Sequence, residues 1–174
     1  FHSVSARTAG FSTYAIGDFT NAGLFVLIML MFIGASPGST GGGIKTSTFF
    51  VLIQSVRTLV TKKNFEAFHR SIPADRINRS YVITLLSILV VCAGTLILCI
   101  LEPGLNFIQL MFEVVSAFGT VGLSTGITPG LCAASKFVIV LIMFIGRLGA
   151  FTLFSMWVDR PAPASHYVEE SITI

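Results

Sequence analysis

Thr120-Val121-Gly122-Leu123-Ser124-Thr125, followed further on by Met143-Phe144-Ile145-Gly146, repeats an earlier stretch of the same chain. The earlier copy is Thr8-Ala9-Gly10-Phe11-Ser12-Thr13, followed at the same distance by Met31-Phe32-Ile33-Gly34. Over positions 8–34 an offset of 112 gives 11 identities in 27 without a gap. Composition alone would give roughly two or three. The repeated unit is a short polar turn centred on glycine, set before a membrane-length apolar run. A backbone-lined ion filter is written in this way, and its recurrence implies a filter assembled from repeats.

Of the 174 residues, 53 % are apolar and only 11 % charged, which excludes an ordinary soluble domain. Positions 81–101 are 21 residues without a charge. At roughly 1.5 Å per residue they span a hydrocarbon core of roughly 30 Å. Positions 137–158 form a second run of 22 residues with one charge, Arg147. A third apolar region, about 17–61, is interrupted by Gly34-Ala35-Ser36-Pro37-Gly38-Ser39-Thr40-Gly41-Gly42-Gly43. Uncharged runs this long belong in lipid rather than in a large soluble core. The chain opens on Phe1 without a signal-peptide pattern, where a helix leading into the first phrase is already due. It reads as the C-terminal part of a longer protein.

The net charge of +3 is unevenly placed. Six basic residues (Arg57, Lys62, Lys63, Arg70, Arg76, Arg79) and two acidic ones (Glu66, Asp75) fall within 57–79, whereas the connection after Leu101 carries Glu102 and no Lys or Arg. The positive-inside rule puts 57–79 in the cytoplasm and 102–106 outside. Beside a spanning helix this topological reading displaces nucleic-acid binding. Cys92, Cys99 and Cys132 lack metal-ligand spacing, and the first two read as small packing residues in an apolar helix.

These patterns predict helices over about 18–34 and 46–61 on either side of the Gly-rich break. A cytoplasmic linker over 62–79 follows, amphipathic through Phe65, Phe68 and Ile72. Positions 81–101 then cross outward. Positions 106–118 are too short to span and read as a re-entrant pore helix. The second filter phrase comes next, 137–158 crosses inward, and 159–174 is a cytoplasmic tail. Two crossings separate the phrases, so both face the same side and the repeat is parallel. The expected organisation is the back part of one pore unit over 1–61 and a complete unit over 80–158. The fold class is all-α integral membrane, with helix–pore loop–helix units around a pseudo-fourfold cation pore.

A dehydrated cation needs oxygens in place of its water shell, and a narrow ring of backbone carbonyls supplies them. Gly10 and Gly122 can take the backbone angles this requires. Thr8 and Thr120 can add a hydroxyl at the inner mouth. Ala9, Phe11, Val121 and Leu123 should pack outward and brace the strand. Ser12 and Ser124 support it from beyond. Glu113 lies within the pore helix and should hydrogen-bond filter backbone rather than the ion, because an unpaired buried carboxylate is costly. The negative end of that helix should point at the cation path.

Residues 5–13 and 118–125, together with 31–46, resemble the Trk/Ktr/HKT superfamily of potassium transporters, most of all the bacterial KtrB-type membrane subunit. The likeness runs from a third filter to the C-terminus. It implies four unequal units around one pore, a homodimer, and regulation by a cytosolic nucleotide-binding ring of KtrA type. It implies potassium as the transported ion, sodium as a candidate coupling ion, membrane lipid around the chain, no covalent cofactor, no nucleic acid and no enzymatic activity. Each phrase departs from the strict potassium-channel filter, since Ser12 or Ser124 stands where a second glycine would be. That leaves open a less selective potassium/sodium-conducting relative.

Non-helical backbone at membrane depth must line water or be buried in protein. The stretch holding Gly34, Ser36, Gly38, Ser39, Thr40, Gly41, Gly42, Gly43 and Lys45 is therefore expected to be a gate below the filter, and the resemblance implies the same. Charge inside a membrane is functional by default. Gly34 aligns with Gly146, so Arg147 falls where the loop begins in the other unit, and its guanidinium is expected to bond loop carbonyls. Gly38 to Gly43 is also a near miss to a phosphate loop. Ile44 intervenes before Lys45-Thr46 and no strand precedes it, which argues against a nucleotide-binding enzyme. A purely structural membrane segment leaves the repeated phrase without a reason.

Overall fold

The structure is a computed structural model that describes residues 1–61, 73–149 and 152, with the backbone of 66–67 and 70–71. Six α-helices order the described residues: α1 (His2–Ser5), α2 (Asn21–Phe32), α3 (Thr46–Thr61), α4 (Ala74–Leu101), α5 (Phe107–Phe118) and α6 (Ala133–Leu148). One strand pair of two residues each, β1 (Glu66–Ala67) and β2 (Arg70–Ser71), is antiparallel with Glu66 opposite Ser71. The architecture is otherwise helical, as the composition implied.

Helix α5 is the centre. Residues 112–119 are buried without interruption, and α2, α4 and α6 pack around it. A helix of 12 residues covers about 18 Å, too little to cross a bilayer. Burial on every side is what a re-entrant helix needs. Phe112, Phe118, Leu110 and Val114 are among the fully enclosed side chains. Close approach depends on small residues where helices cross, because lipid offers no hydrophobic drive for association. A Cβ added to Gly146 on α6 would lie 2.0 Å from the Phe118 carbonyl oxygen, and one on Gly94 of α4 would lie 2.5 Å from Ile142 Cδ1.

Helix α4 has 28 residues and is the one described helix long and apolar enough to cross a membrane. Its hydroxyls do not remain unpaired there. Ser80, Thr84, Ser87 and Thr95 each donate to the carbonyl four residues back, which satisfies them within the helix. Leu85, Leu96 and Ile100 are exposed on its outer side.

The boundaries differ from expectation in specific ways. Helix α2 begins at Asn21 rather than 18, because Ile16–Asp18 is a 3-10 turn and the Thr20 hydroxyl accepts the Gly23 N–H at 3.2 Å to cap the helix. Helix α4 begins at Ala74 rather than 81, since Pro73 in extended conformation starts it and its polar first turns extend beyond the apolar run. Within the linker expected over 62–79, residues 66–67 and 70–71 are extended and paired, and from Ala74 the chain is already helical. Phe65, Phe68 and Ile72 lie outside the described residues. Cys92 is exposed and so is not the packing residue expected, whereas Cys99 is half-buried and packs against the core. The Cys132 sulfur instead accepts the Ser135 N–H at 3.4 Å at the start of α6. Helix α6 is described to Leu148. The rest of the expected span, save Gly149 and Thr152, and the tail 159–174 lie outside the described residues.

Candidate ion-conducting site

Both phrases take the same unusual backbone. Thr8 has φ +66° and Gly10 +73°; Thr120 has +52° and Gly122 +88°. Ala9 and Val121 between them keep the ordinary sign. In a strand successive residues point to opposite sides. Alternating left-handed with ordinary residues instead turns successive carbonyls toward one side, which a carbonyl ring requires. Glycine was the foreseeable half of this pattern. The threonines were not foreseen: a β-branched residue at positive φ is a true outlier and costs on the order of 1–3 kcal/mol.

The helix ends impose that strain. The Ser5 carbonyl accepts the N–H groups of Ala9 and Gly10, both at 3.1 Å, and the Ser116 carbonyl accepts that of Val121 at 2.9 Å. The same serines reach forward with their hydroxyls. Ser116 Oγ donates to the Leu123 carbonyl at 2.6 Å, and Ser5 Oγ donates to that of Phe11. Sequence reasoning missed both. The signal was a Ser-Ala pair before each phrase, Ser5-Ala6 and Ser116-Ala117, hidden because it repeats at 111 rather than 112.

The two phrases abut. A Cβ on Gly10 would lie 2.2 Å from the Val121 carbonyl oxygen and 3.5 Å from Gly122 Cα. Val121 and Leu123 are buried as braces. Ala9 and Phe11, expected to do the same, are exposed within this chain, Phe11 by 72 %. Helices α5 and α6 enclose the second phrase, whereas the first has only the one-turn α1 before it. Glu113 is 5 % exposed. Its Oε1 accepts the Thr125 N–H at 2.9 Å and the hydroxyls of Ser124 at 2.7 Å and Thr125 at 3.0 Å, and its Oε2 accepts the Thr128 hydroxyl at 2.9 Å. Four donors satisfy a carboxylate that apolar helices surround. They hold the outer end of the phrase more than the carbonyl-bearing part.

The Gly-rich segment lies directly against the threonines of both phrases. The Gly42 N–H donates to Thr120 Oγ1 at 2.7 Å, and a Cβ on Gly41 would lie 3.2 Å from Thr8 Oγ1. The loop also closes on itself. Gly34 N–H donates to the Ile44 carbonyl at 2.8 Å, and Ile44 N–H donates to that of Phe32 at 3.2 Å. Gly34 has no room for a side chain, since a Cβ there would lie 2.1 Å from the Gly42 carbonyl oxygen. Three cations cap the loop's carbonyls. Arg147 donates to Thr40 O; Lys45 donates to Ser39 O at 3.0 Å and to Gly41 O; Arg7 donates to Ile33 O at 3.0 Å. Arg7 was not singled out in the sequence, because nothing local tells a cation beside a filter from an ordinary exposed one. Gly38 and Ser36 are exposed, and no heavy atom lies within 4 Å of a Cβ added to Gly38. Lys45 is turned onto its own loop, so the near-miss phosphate loop presents no free lysine. Among the described residues, no group of His, Cys, Asp and Glu side chains could hold a metal ion.

The family model described as TrkH, cation transport protein, matches residues 1–166. The chain belongs to this family. Among curated TrkH relatives it is 42 % identical to the Ktr system potassium uptake protein D of Bacillus subtilis, over all of this chain and 39 % of that protein. It is 38 % identical to the Ktr system potassium uptake protein B of Vibrio alginolyticus, over 99 % of this chain and 38 % of that one. It is 37 % identical to the potassium/sodium uptake protein NtpJ of Enterococcus hirae, over all of this chain and 40 % of that one. The chain thus spans about two-fifths of the length of these relatives. The fold matches the crystal structure of the potassium transporter TrkH from Vibrio parahaemolyticus with a TM-score of 0.70 at 24 % identity, over 88 % of this chain and 35 % of that one.

Proposed function

We propose that this chain forms two adjoining walls of a potassium-uptake pore, with Thr8–Phe11 and Thr120–Leu123 as its filter strands and the Gly-rich loop as its gate. The observation that carries the reading is the matched backbone of the two phrases, left-handed at both threonines and both glycines, with Gly10 packed on Val121. Two walls do not close a pore, so the reading needs two further units around a pseudo-fourfold axis. A Thr120 hydroxyl that accepts from the loop rather than standing free suits a shut gate. Arg7, Lys45 and Arg147 then hold the loop by its carbonyls and add positive charge to the path of a cation. The relatives' names support potassium as the cargo.

By the charge pattern the filter faces outside, and 57–79 and the C-terminus face the cytoplasm of a multi-pass protein in the cell membrane. The Ktr likeness supports a homodimer governed by a nucleotide-binding ring of KtrA type. One observation favours a second reading, potassium with sodium, either co-conducted or coupled: the relative named a potassium/sodium uptake protein. The test is uptake of potassium against sodium by the full transporter with Gly122→Ser. A side chain at φ +88° distorts the carbonyl ring, so potassium preference should fall about tenfold or more, as a distortion of about 1–2 kcal/mol implies. Unchanged preference would refute the filter assignment.

A further inference from the structure

Two different offsets relate the two units to each other. The filter phrases repeat at 112, but the residues before them repeat at 111. Phe1, Val4, Ser5 and Ala6 match Phe112, Val115, Ser116 and Ala117, and Gly119 is the extra residue in the second copy. The two serine-to-carbonyl bonds obey the second offset in space as well as in sequence. At that offset the counterpart of Glu113 is His2.

The structure places His2 where this correspondence requires. Its Nε2 lies 3.2 Å from Ser12 Oγ, and Ser12 is the counterpart of Ser124, which donates to Glu113 at 2.7 Å. The polarity of the contact is reversed. Ser12 spends its one proton on the Tyr14 carbonyl, so its oxygen can only accept, and His2 Nε2 must carry the hydrogen. The imidazole is held edge-on between the rings of Phe1, 5.5 Å away between centroids, and Phe19, 5.3 Å away. That arrangement orients the donor toward the filter.

We infer that His2 is the positioning residue of the first filter wall, doing with one donated hydrogen bond what Glu113 does for the second wall with four accepted ones. His2 does not touch the cation in this assignment. It fixes Ser12, and through Ser12 the end of the strand whose last carbonyl, Phe11 O, Ser5 already holds. Beyond the serine ties that both walls share, an outer end held by one such bond gives more easily than one held by four. The first strand is therefore the compliant one, and ion preference is sensitive to how firmly its outer end is held.

The inference rests on the filter reading above, and the experiment separates the two. The full transporter carries His2→Ala, His2→Gln or, as the control for the filter itself, Gly122→Ser, at matched membrane abundance, and potassium and sodium uptake are measured. Loss of one hydrogen bond should lower potassium-over-sodium preference by about 2- to 10-fold in His2→Ala. The Gln amide keeps a donor and should restore most of the preference. Should His2→Ala reach the membrane poorly, Ser12→Ala removes the same bond from the other side, together with the one to the Tyr14 carbonyl, and should show at least the same loss. Wild-type preference in His2→Ala or Ser12→Ala, beside a changed Gly122→Ser, overturns the role of His2 alone. If Gly122→Ser is also unchanged, the filter reading falls with it.

Discussion

The two filter-bearing regions share a backbone and little of what holds it. The second is enclosed: α5 is buried before it, α6 crosses behind it, and Glu113 gathers Ser124, Thr125 and Thr128. The first leaves Ala9 and Phe11 exposed and is tied mainly through Ser5 and His2. The same left-handed threonine and glycine appear in both, so the conformation does not depend on the particular brace. What the two share is a serine in the last turn of the preceding helix, whose carbonyl accepts strand N–H and whose hydroxyl donates to the phrase's fourth carbonyl. The regions part again after the apolar run. One continues from Gly34 into a loop that fits beneath the filter, and the other continues from Gly146 into Arg147, which caps that loop.

The sharpest way to break the comparison is to load both glycines equally. Gly10→Ala puts a Cβ 2.2 Å from the Val121 carbonyl, whereas at Gly122 the nearest atom is 4.0 Å away. Both carry a left-handed penalty of about 1–2 kcal/mol, but only Gly10 must also displace backbone. Potassium uptake should be lost in Gly10→Ala and reduced about tenfold in Gly122→Ala, as that penalty implies. Equal loss would mean that the Gly10–Val121 contact is not part of the working pore.

A smaller effect is expected where the units diverge. Arg147→Gln removes a charge-assisted bond to the Thr40 carbonyl, of a kind that contributes about 1.5–3 kcal/mol. With the loop less firmly held, resting potassium flux in reconstituted vesicles should rise severalfold. Arg7→Gln, on the other flank, should act in the same direction, and more weakly because it grips only the loop's start. Resting flux and uptake kinetics identical to wild type in Arg147→Gln would remove the arginine from the gate.

The smallest effect lies outside the membrane. Glu102 Oε1 accepts the Cys132 N–H at 2.7 Å and the Ser135 hydroxyl at 3.0 Å at the start of α6. The Cys132 N–H first, then the Ser135 hydroxyl, hold the Glu102 carboxyl below the usual carboxylate range. A lowered folded value means that the stabilisation is present above the unfolded carboxylate pKa, near 4.3, and is lost as pH falls through the folded value. Thermal stability in detergent should decline over that acid window in the wild type and less in Glu102→Gln. Parallel acid profiles would exclude the cap.

Much of this molecule was legible because lipid is an exacting solvent. Runs without charge located α4 and α6, a run too short to cross marked the buried α5, and the 112-residue repeat marked the two phrases that share a backbone. The boundaries came out wrong where capping decided them, at Thr20 and Pro73, and the pairing of 66–67 with 70–71 within the linker was not foreseen. The site was legible by residue type and not by grip. Glycine at positive φ can be expected from its missing Cβ, but threonine in the same region cannot, because only the Ser5 and Ser116 carbonyls compel it. Arg147 stood out as a charge in an apolar run, whereas Arg7 and Glu102 looked like ordinary charges beside one.

The sequence by itself determined the helical membrane fold, the two repeated phrases and the break between α2 and α3, since apolar run length, charge and glycine content act locally along the chain. Only the tertiary structure decided that the phrases touch, that the break folds back beneath Thr8 and Thr120, and that His2 faces Ser12 as Glu113 faces Ser124. Those are distances between residues as many as 111 positions apart in the chain. No local preference encodes them; they follow from burying α5 on all sides while satisfying every polar group it brings along.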